Sequence, residues 1–215
     1  MRLPFTVEQF FDVFRAYNAA VWPAQPVLLA LGVLLAVVVL WRPEASSRPI
    51  SAVLGFLWAW MGVAYHLMFF AAINPVARVF GALFLLQAAL FLALGAAQHR
   101  LVFAHVSPVR AAAGSALVAY ALVGYPALGW LAGHRYPGMP TFGVPCPTTI
   151  LTLGLFLFVR PPFPPSIAVI PLLWSAVGST AAFALGVPQD LGLLAAGIVA
   201  LAACLPPRRR PSAAA

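Results

Sequence analysis

Residues 26–41 read PVLLALGVLLAVVVLW, a run without one charged side chain. The apolar stretch around this run covers residues 21–41, and an α-helix needs about 20 mainly apolar residues to cross the hydrocarbon core of a bilayer. The stretch therefore predicts a transmembrane helix, and the remainder of the chain repeats its pattern.

The composition of the whole chain is that of an integral membrane protein. Of the 215 residues, 63% are hydrophobic and only 7% are charged, and the mean hydropathy is +0.98. A soluble domain of this size cannot enclose so much apolar surface. We therefore predict an all-α membrane protein whose principal partner is the lipid bilayer.

Seven apolar runs predict seven transmembrane helices. Five of them have about 20 residues, whereas the fifth and the seventh have only about 13 and about 16. A helix of about 13 residues covers about 20 Å. It therefore requires a thinner bilayer, flanking side chains that reach the interface, or loop backbone buried within the protein. The runs cover residues 21–41, 50–70, 76–97, 109–131, 147–159, 166–185 and 190–205.

The arginines set the predicted orientation, because all 12 basic residues are arginine. Seven alternating crossings place eight of them on one side of the membrane and four on the other, and the richer side is cytoplasmic by the positive-inside rule. The N-terminus is therefore predicted outside and the C-terminus in the cytoplasm. Six crossings would put the arginines at 208–210 on the poorer side. The richer side holds Arg42, Arg48, Arg100, Arg110, Arg160, Arg208, Arg209 and Arg210, and the poorer side holds Arg2, Arg15, Arg78 and Arg135.

Residues 1–20 are predicted to form an amphipathic segment ahead of the first span. Thr6 and Gln9 fit the capping box that begins a helix. The helix is expected to lie flat in the outer interface of the membrane. A transmembrane domain follows at residues 21–205, and residues 206–215 are expected to form a basic, disordered cytoplasmic tail. The apolar face of the helix has the spacing i, i+3, i+4, i+7 at Val7, Phe10, Phe11 and Phe14.

Most of the unusual polar side chains fall near the outer face in this topology. Asn74, Cys146 and Asp190 each stand where a span begins, in positions that suit helix N-caps. Helix starts that lie deep within the membrane would direct several backbone N–H groups into one pocket. We therefore predict an outward-facing polar pocket that binds or passes a small solute, as in a permease or channel. Its candidate residues are His66, Asn74, Arg78, His134, Cys146, Thr148, Thr149, Gln189 and Asp190.

Other interpretations of these residues stay open. A partly exposed Cys146 thiol can act as a redox centre or as a ligand for a soft metal, and His66 and His134 are the only side-chain nitrogens of suitable type on the same side. No CxxC or HxxxH spacing supports that metal site. A third possibility is an accessory subunit whose polar outer surface docks a larger membrane complex. In the simplest interpretation Cys146 and Asp190 only cap helices, and His66 only bonds to a neighbouring helix.

Several functions are excluded by what the sequence lacks. Seven spans with an outer N-terminus are typical of rhodopsins, but without lysine there can be no retinal Schiff base. There is no basic cluster with interleaved aromatic residues, so nucleic acid is not an expected partner. No carboxylate lies in the middle of a span, which disfavours an ion-coupled carrier built around a buried acid. The sequence assigns no catalytic residue and requires no cofactor.

Four stretches have a distinctive pattern, namely PFTVEQFFDVFRAYNAAVWPAQ (residues 4–25), WMGVAYHLMFFAAINPVARVFGALFLLQ (60–87), TFGVPCPTTILTLG (141–154) and LGVPQDLGLLAAG (185–197). Together they resemble a family of small bacterial multi-pass membrane proteins of unknown function. The resemblance extends over essentially the whole chain. It implies the bacterial cell (inner) membrane as the location and assigns no activity. The residues of interest that it implies are His66, Asn74, Cys146, Thr148, Gln189 and Asp190.

Overall fold

The computed structural model describes residues 4–44, 46–161 and 164–204. Within these ranges the regular structure is helical and no strand forms, so the predicted all-α class is confirmed. The helices are α1 (Val7–Ala20), α2 (Ala24–Trp41), α3 (Ser47–Trp60), α4 (Ala77–Leu90), α5 (Pro108–Ala119), α6 (Tyr125–Leu131), α7 (Pro145–Phe156), α8 (Ser166–Gly178), α9 (Thr180–Ala184) and α10 (Leu191–Cys204).

Several helices pass directly into π-helical turns. Met61–Leu67 follows α3, Phe91–Ala97 follows α4, and Tyr120–Gly124 joins α5 to α6. A π-helical turn holds more residues than an α-helical one and often occurs near a functional site. Short 3₁₀ turns are also present at Phe70–Ala72 and Pro188–Asp190.

Five helical segments of the described chain are long and apolar enough to cross a membrane, and two further apolar helices are shorter. The sequence predicts the same division, with the fifth and seventh runs as the short ones. Residue 205, the predicted tail 206–215 and Arg2 lie outside the described residues. The long segments are Ala24–Trp41, Ser47–Ala72, Ala77–Ala97, Pro108–Leu131 and Ser166–Ala184, and the short ones are Pro145–Phe156 and Pro188–Ala203.

Helix α7 is enclosed by other helices. Every residue of α7 except Cys146 is buried, and its neighbours include α2, α5, α8 and α10. A helix that is apolar on every side belongs in a protein interior. Ile150, Leu153 and Phe156 of α7 belong to the main hydrophobic cluster of the bundle. This short helix therefore packs against protein all round.

The backbone on either side of α7 finds its hydrogen-bond partners within the protein. Before α7, the N–H of Gly143 donates to Oγ1 of Thr148 over 3.2 Å. After α7, the carbonyl oxygen of Phe158 accepts from the N–H of Ala104 over 2.8 Å. Non-helical backbone is tolerated at membrane depth only where protein supplies such partners. The loop backbone on both sides of this short helix is therefore buried within the protein.

Two pairs of glycines allow helices to approach closely. A Cβ atom on Gly62 would lie 3.0 Å from the carbonyl oxygen of Gly81, and one on Gly81 would lie 3.2 Å from that of Gly62. Gly114 of α5 and Gly154 of α7 have the same reciprocal relation, at 2.9 and 3.1 Å. Small residues at helix crossings are typical of membrane proteins, because they bring backbones into van der Waals contact.

One end of the bundle carries several of the described arginines. Arg160 forms a salt bridge with Glu44, with 2.6 Å between Nη2 and Oε1. Arg48 donates from Nε to Nδ1 of His99 over 3.1 Å, and Arg110 donates to a carbonyl oxygen just beyond α7. These contacts join the loops that follow α2, precede α5 and follow α7. We name this side of the bundle the arginine end.

Helix α1 begins with the predicted capping box, in which the Thr6 and Gln9 side chains each accept from the other residue's backbone N–H. Val7, predicted on the apolar face, is exposed, because the buried face is turned towards Val13 and Tyr17 instead. That α1 lies in a membrane interface stays a prediction. The buried side chains of α1 are Phe10, Val13, Phe14, Tyr17 and Asn18.

Side-chain hydrogen bonds hold α1 on the bundle. Nε1 of Trp60, at the end of α3, donates to Oη of Tyr17 over 2.8 Å. Nδ2 of Asn18 donates to the carbonyl oxygens of Pro137 and Met139, at 2.6 and 2.9 Å. Helix α3 begins at the arginine end, so α1 packs across the opposite side of the bundle, which we name the cavity end.

The variant Gly114→Val is expected to weaken the packing of α5 on α7, because its Cβ would lie 2.9 Å from the Gly154 carbonyl oxygen and 2.5 Å from the Phe158 ring. Overpacking of this kind costs about 1–3 kcal/mol. The free energy of unfolding in SDS, followed by circular dichroism, should fall by that amount. Ala116→Val, on the exposed side of the same helix, is the control, and equal stability of the two variants would contradict the close contact.

Candidate functional site

A cavity of about 290 Å³ lies beneath α1 at the cavity end. Its wall is mostly apolar and comes from α1, the π-helical turn Met61–Leu67, α8, α9 and the loop before α7. We name it the α1 cavity. A concave, mainly apolar space with a few converging polar groups is the usual form of a small-molecule site. The aromatic side chains in the wall are Phe5, Phe10, Phe14, Tyr65, Phe70, Phe80, Tyr125 and Trp174.

Asn74, Cys146 and Asp190 line the α1 cavity, and they are three of the nine predicted site residues. Each stands at the start of a different apolar run, the third, the fifth and the seventh. Because these runs all begin at the cavity end, the polar residues at their starts come together although they are far apart in the sequence.

The start of α7 differs from the prediction. The helix begins at Pro145 with Val144 as its N-cap, so Cys146 is the second helical residue and not the N-cap. Pro145 and Pro147 both suit the first turn of a helix, because proline fixes φ and the N–H it lacks has no helical partner there. The structure uses the earlier proline, which moves the helix start by two residues.

The other two helix starts also differ from simple N-caps. Oδ1 of Asn74 accepts from the N–H of Val76 over 3.2 Å, but α4 begins only at Ala77, after a turn. Asp190 ends the 3₁₀ turn Pro188–Asp190 and directly precedes α10. Its carboxylate accepts a hydrogen bond from Tyr125, the first residue of α6.

Asp190 is 1% exposed, and its Oδ1 accepts a hydrogen bond of 2.7 Å from Oη of Tyr125. Cys146 is half-buried and lies beside both groups. Tyr125 follows directly on the π-helical turn Tyr120–Gly124. A buried carboxylate is unfavourable unless it is hydrogen-bonded, and here the fold supplies a neutral hydroxyl as the donor.

The turn that carries Asp190 is fixed by Tyr120. Oη of Tyr120 donates to the carbonyl oxygen of Gln189 over 2.7 Å. The Tyr120 ring lies where a side chain on Gly192 would be, since a Cβ there would come within 2.0 Å of Cε1. Tyr120 and Tyr125 therefore both hold the 3₁₀ turn Pro188–Asp190 in place. Tyr120 bonds to the backbone of this turn, and Tyr125 bonds to the Asp190 side chain.

His66 lies behind the wall of the α1 cavity. It is 0% exposed, and neither ring nitrogen has a hydrogen-bond partner among the described residues. Its ring meets those of Phe84 and Trp174 edge to face, with centroid distances of 4.6 and 5.2 Å. The simplest interpretation, a hydrogen bond to a neighbouring helix, is therefore wrong, because aromatic rings occupy the surrounding space.

The other predicted site residues also lie outside the cavity lining. Oγ1 of Thr148 accepts from the N–H of Gly143. Oγ1 of Thr149 is buried without a partner in the described part of the chain. Nε2 of Gln189 lies 3.3 Å from Nδ1 of His134. Arg78 is exposed.

The predicted soft-metal set is not assembled. No group of three His, Cys, Asp or Glu side chains in residues 4–44, 46–161 and 164–204 is placed to hold a metal ion. Cys146 lies beside Asp190, whereas His66 is surrounded by aromatic rings and His134 packs on Phe11 with 4.7 Å between ring centroids. The combination of Cys146, His66 and His134 as metal ligands therefore has no support in the described residues and stays a prediction.

Residues 7–215 match a protein family described as a family of unknown function, DUF6064. The chain belongs to the DUF6064 family. The resemblance drawn from the sequence, to a family of unknown function over nearly the whole chain, is thereby confirmed. No curated protein and no solved structure matches this DUF6064 chain.

Tyr125 and most of the aromatic wall of this DUF6064 protein are not predicted from the sequence. Tyr125 stands in the fourth apolar run, where nothing but its own hydroxyl group indicates a site residue. Its partner Asp190 lies 65 residues further on. Phe10 and Phe14 were predicted only as the apolar face of a helix. A pattern within one segment does not indicate which distant segment it will face.

The pKa of His134 is expected below the ordinary value of 6.5, because burial lowers it, although a backbone contact with Gly186 opposes the shift. The folded state then favours the neutral ring, so the contribution of His134 to stability falls as the pH drops below about 6.5. NMR titration of labelled histidine measures this pKa. Phe11→Ala removes the covering ring and should raise it, and a pKa at or above 6.5 before substitution would contradict the burial.

Cys204→Ser leaves Cys146 as the single thiol of the protein. A small uncharged reagent, methyl methanethiosulfonate, is expected to modify Cys146 in the folded protein, because this half-buried side chain lines the α1 cavity. Mass spectrometry of timed samples gives the rate, with Cys146→Ser in the same background as the control. Modification that begins only on unfolding would contradict an accessible thiol.

Proposed function

We propose that this DUF6064 protein binds a small, mainly apolar solute in the α1 cavity, at the outer face of a bacterial cell membrane. The observation that carries the proposal is the cavity itself, of about 290 Å³, on which Asn74, Cys146 and Asp190 converge from three helix starts. Its volume is close to the lower limit of typical small-molecule sites, about 300–1,000 Å³. A few polar groups in an apolar wall fix the orientation of a ligand.

The proposal includes seven membrane crossings with the N-terminus outside. Five segments have the length that a crossing requires, and the enclosure of α7 supports a crossing by a short helix. Arg48, Arg110 and Arg160 gather at the arginine end, which is the side expected in the cytoplasm. The cavity end would then face outwards, with residues 1–20 at the outer interface and residues 21–205 as the transmembrane domain.

The α1 cavity supports binding better than free passage. Directly beyond Cys146 along α7, the side chains of Ile150, Leu151 and Leu153 are each 0% exposed. Passage from the cavity to the arginine end would require α7 to separate from the helices around it. We therefore propose a binding site that is reached from one side. Transport would need a second conformation of the bundle.

A redox role for Cys146 has less support. The other cysteine, Cys204, is the last residue of α10, which has 14 residues and starts directly after Asp190. A helix of this length covers about 20 Å, whereas the Cα atoms of a disulfide lie within about 7 Å. The Cα atoms of Cys146 and Cys204 are therefore too far apart for a disulfide within one chain, and we treat Cys146 as part of the cavity wall.

Protection of Cys146 tests the proposed binding. Neopentylbenzene, a neutral apolar molecule, is expected to occupy the α1 cavity and to slow modification of Cys146 by methyl methanethiosulfonate several-fold. The measurement uses the Cys204→Ser protein in lipid nanodiscs. If neither neopentylbenzene nor its charged analogues slow the modification, the proposal fails.

A variant that fills the cavity provides the control for this measurement. Ala181 belongs to the wall, so Ala181→Trp is expected to slow modification of Cys146 by itself and to abolish further protection by neopentylbenzene. Ala19→Trp places the same ring on the exposed side of α1. It should behave like the parent protein, and an equal effect of both substitutions would show that the protection does not arise in the cavity.

A further inference from the structure

The charges around the α1 cavity are unbalanced. Asp190 is the single acidic residue in the described lining, and neither arginine nor histidine belongs to it. At this end of the bundle, Arg15 pairs within α1, Arg135 lies over the Trp130 ring, and Arg78 is exposed outside the lining. In the described part of the chain Asp190 forms no salt bridge, and Tyr125 supplies only a neutral donor. A buried charge is costly unless it is both paired and hydrogen-bonded.

Aromatic rings line the same cavity as Asp190. Phe80 and Trp174 meet edge to face with centroids 5.2 Å apart, and Tyr65 and Phe70 stack at 5.7 Å. All four line the α1 cavity. The face of an aromatic ring carries partial negative charge and attracts cations, and groups of such rings are a common means of recognising quaternary ammonium ions. The carboxylate and the rings therefore favour the same kind of ligand.

The rest of the wall requires an apolar body on that ligand. Val177, Ala181, Leu185 and Val187 come from α8, α9 and the segment that leads to Asp190, and all four line the cavity. Aliphatic side chains gain free energy by contact with apolar groups and offer no hydrogen bond. A small inorganic cation would leave this part of the wall without a partner.

We infer that the solute of this site is a small amphipathic ammonium compound. Its cationic group lies beside Asp190 and the aromatic rings, and its apolar body packs on the segment from α8 to Val187. The inference rests on the proposed function, since it names the chemical class of the solute that the α1 cavity binds.

Three probes of similar size and different charge test the inference. Benzyltrimethylammonium and neopentylbenzene share one shape and differ by a positively charged nitrogen in place of a carbon, while phenylmethanesulfonate is an anion. For each probe, the free concentration that halves the rate of Cys146 modification is measured in Cys204→Ser protein in nanodiscs of zwitterionic lipid. The ammonium is expected to act at about tenfold lower concentration than the neutral probe, and the sulfonate is expected to protect least.

Substitution of Asp190 tests whether its negative charge causes the preference for the ammonium probe over the neutral probe. Asp190→Asn removes the charge with little change of shape and is expected to bring the ammonium and the neutral probe to equal concentrations, whereas Asp190→Glu should retain the preference. Equal protection by these two probes in the parent protein, which needs no substitution at the site, would overturn the inference and leave the proposed function intact. Failure of all three probes would overturn both.

Discussion

The burial of α7 is the constraint on which the rest of the structure depends. Its 12 residues cover only about 18 Å, and the buried loop backbone on both sides needs hydrogen-bond partners within the protein. Other helices therefore surround α7. Helix α5 comes close enough only because Gly114 and Gly154 meet without side chains. The central position of α7 in turn brings Cys146 to the floor of the α1 cavity.

Burial of the Asp190 side chain lowers the stability of the fold, and hydrogen bonding reduces this loss without removing it. Asp190 receives a hydrogen bond from Tyr125, and the turn that carries it is fixed by Tyr120. Yet the described wall contains no positive charge. Natural sequences depart from the rules of a stable interior mainly at functional sites. An acidic group held in an apolar wall with only the neutral partners Tyr125 and Cys146 is such a departure, and it supports the view that a ligand supplies the missing interaction.

Much of the architecture follows from local pattern and was predictable. Long apolar runs and arginine-bearing loops are properties of contiguous sequence, so the division into five long and two short helices came directly from them. The placement of Asn74, Cys146 and Asp190 at one end follows from counting passages through the bundle, but their meeting in one cavity does not. The environment of His66 was not predictable, because four of the five rings around it come from three other helical segments. The exact start of α7 was also beyond prediction, since Pro145 and Pro147 fit a first turn equally well.

The π-helical turn Tyr120–Gly124 makes the site depend on the number of residues as well as on their identity. A π-helical turn places five residues where an α-helical turn places about four, so loss of one residue from this turn would change the direction of Tyr125 relative to Tyr120. Such a chain would retain every side chain of the site and lose its geometry. When DUF6064 sequences are compared, a gap between these two tyrosines is therefore as informative as a substitution at either of them.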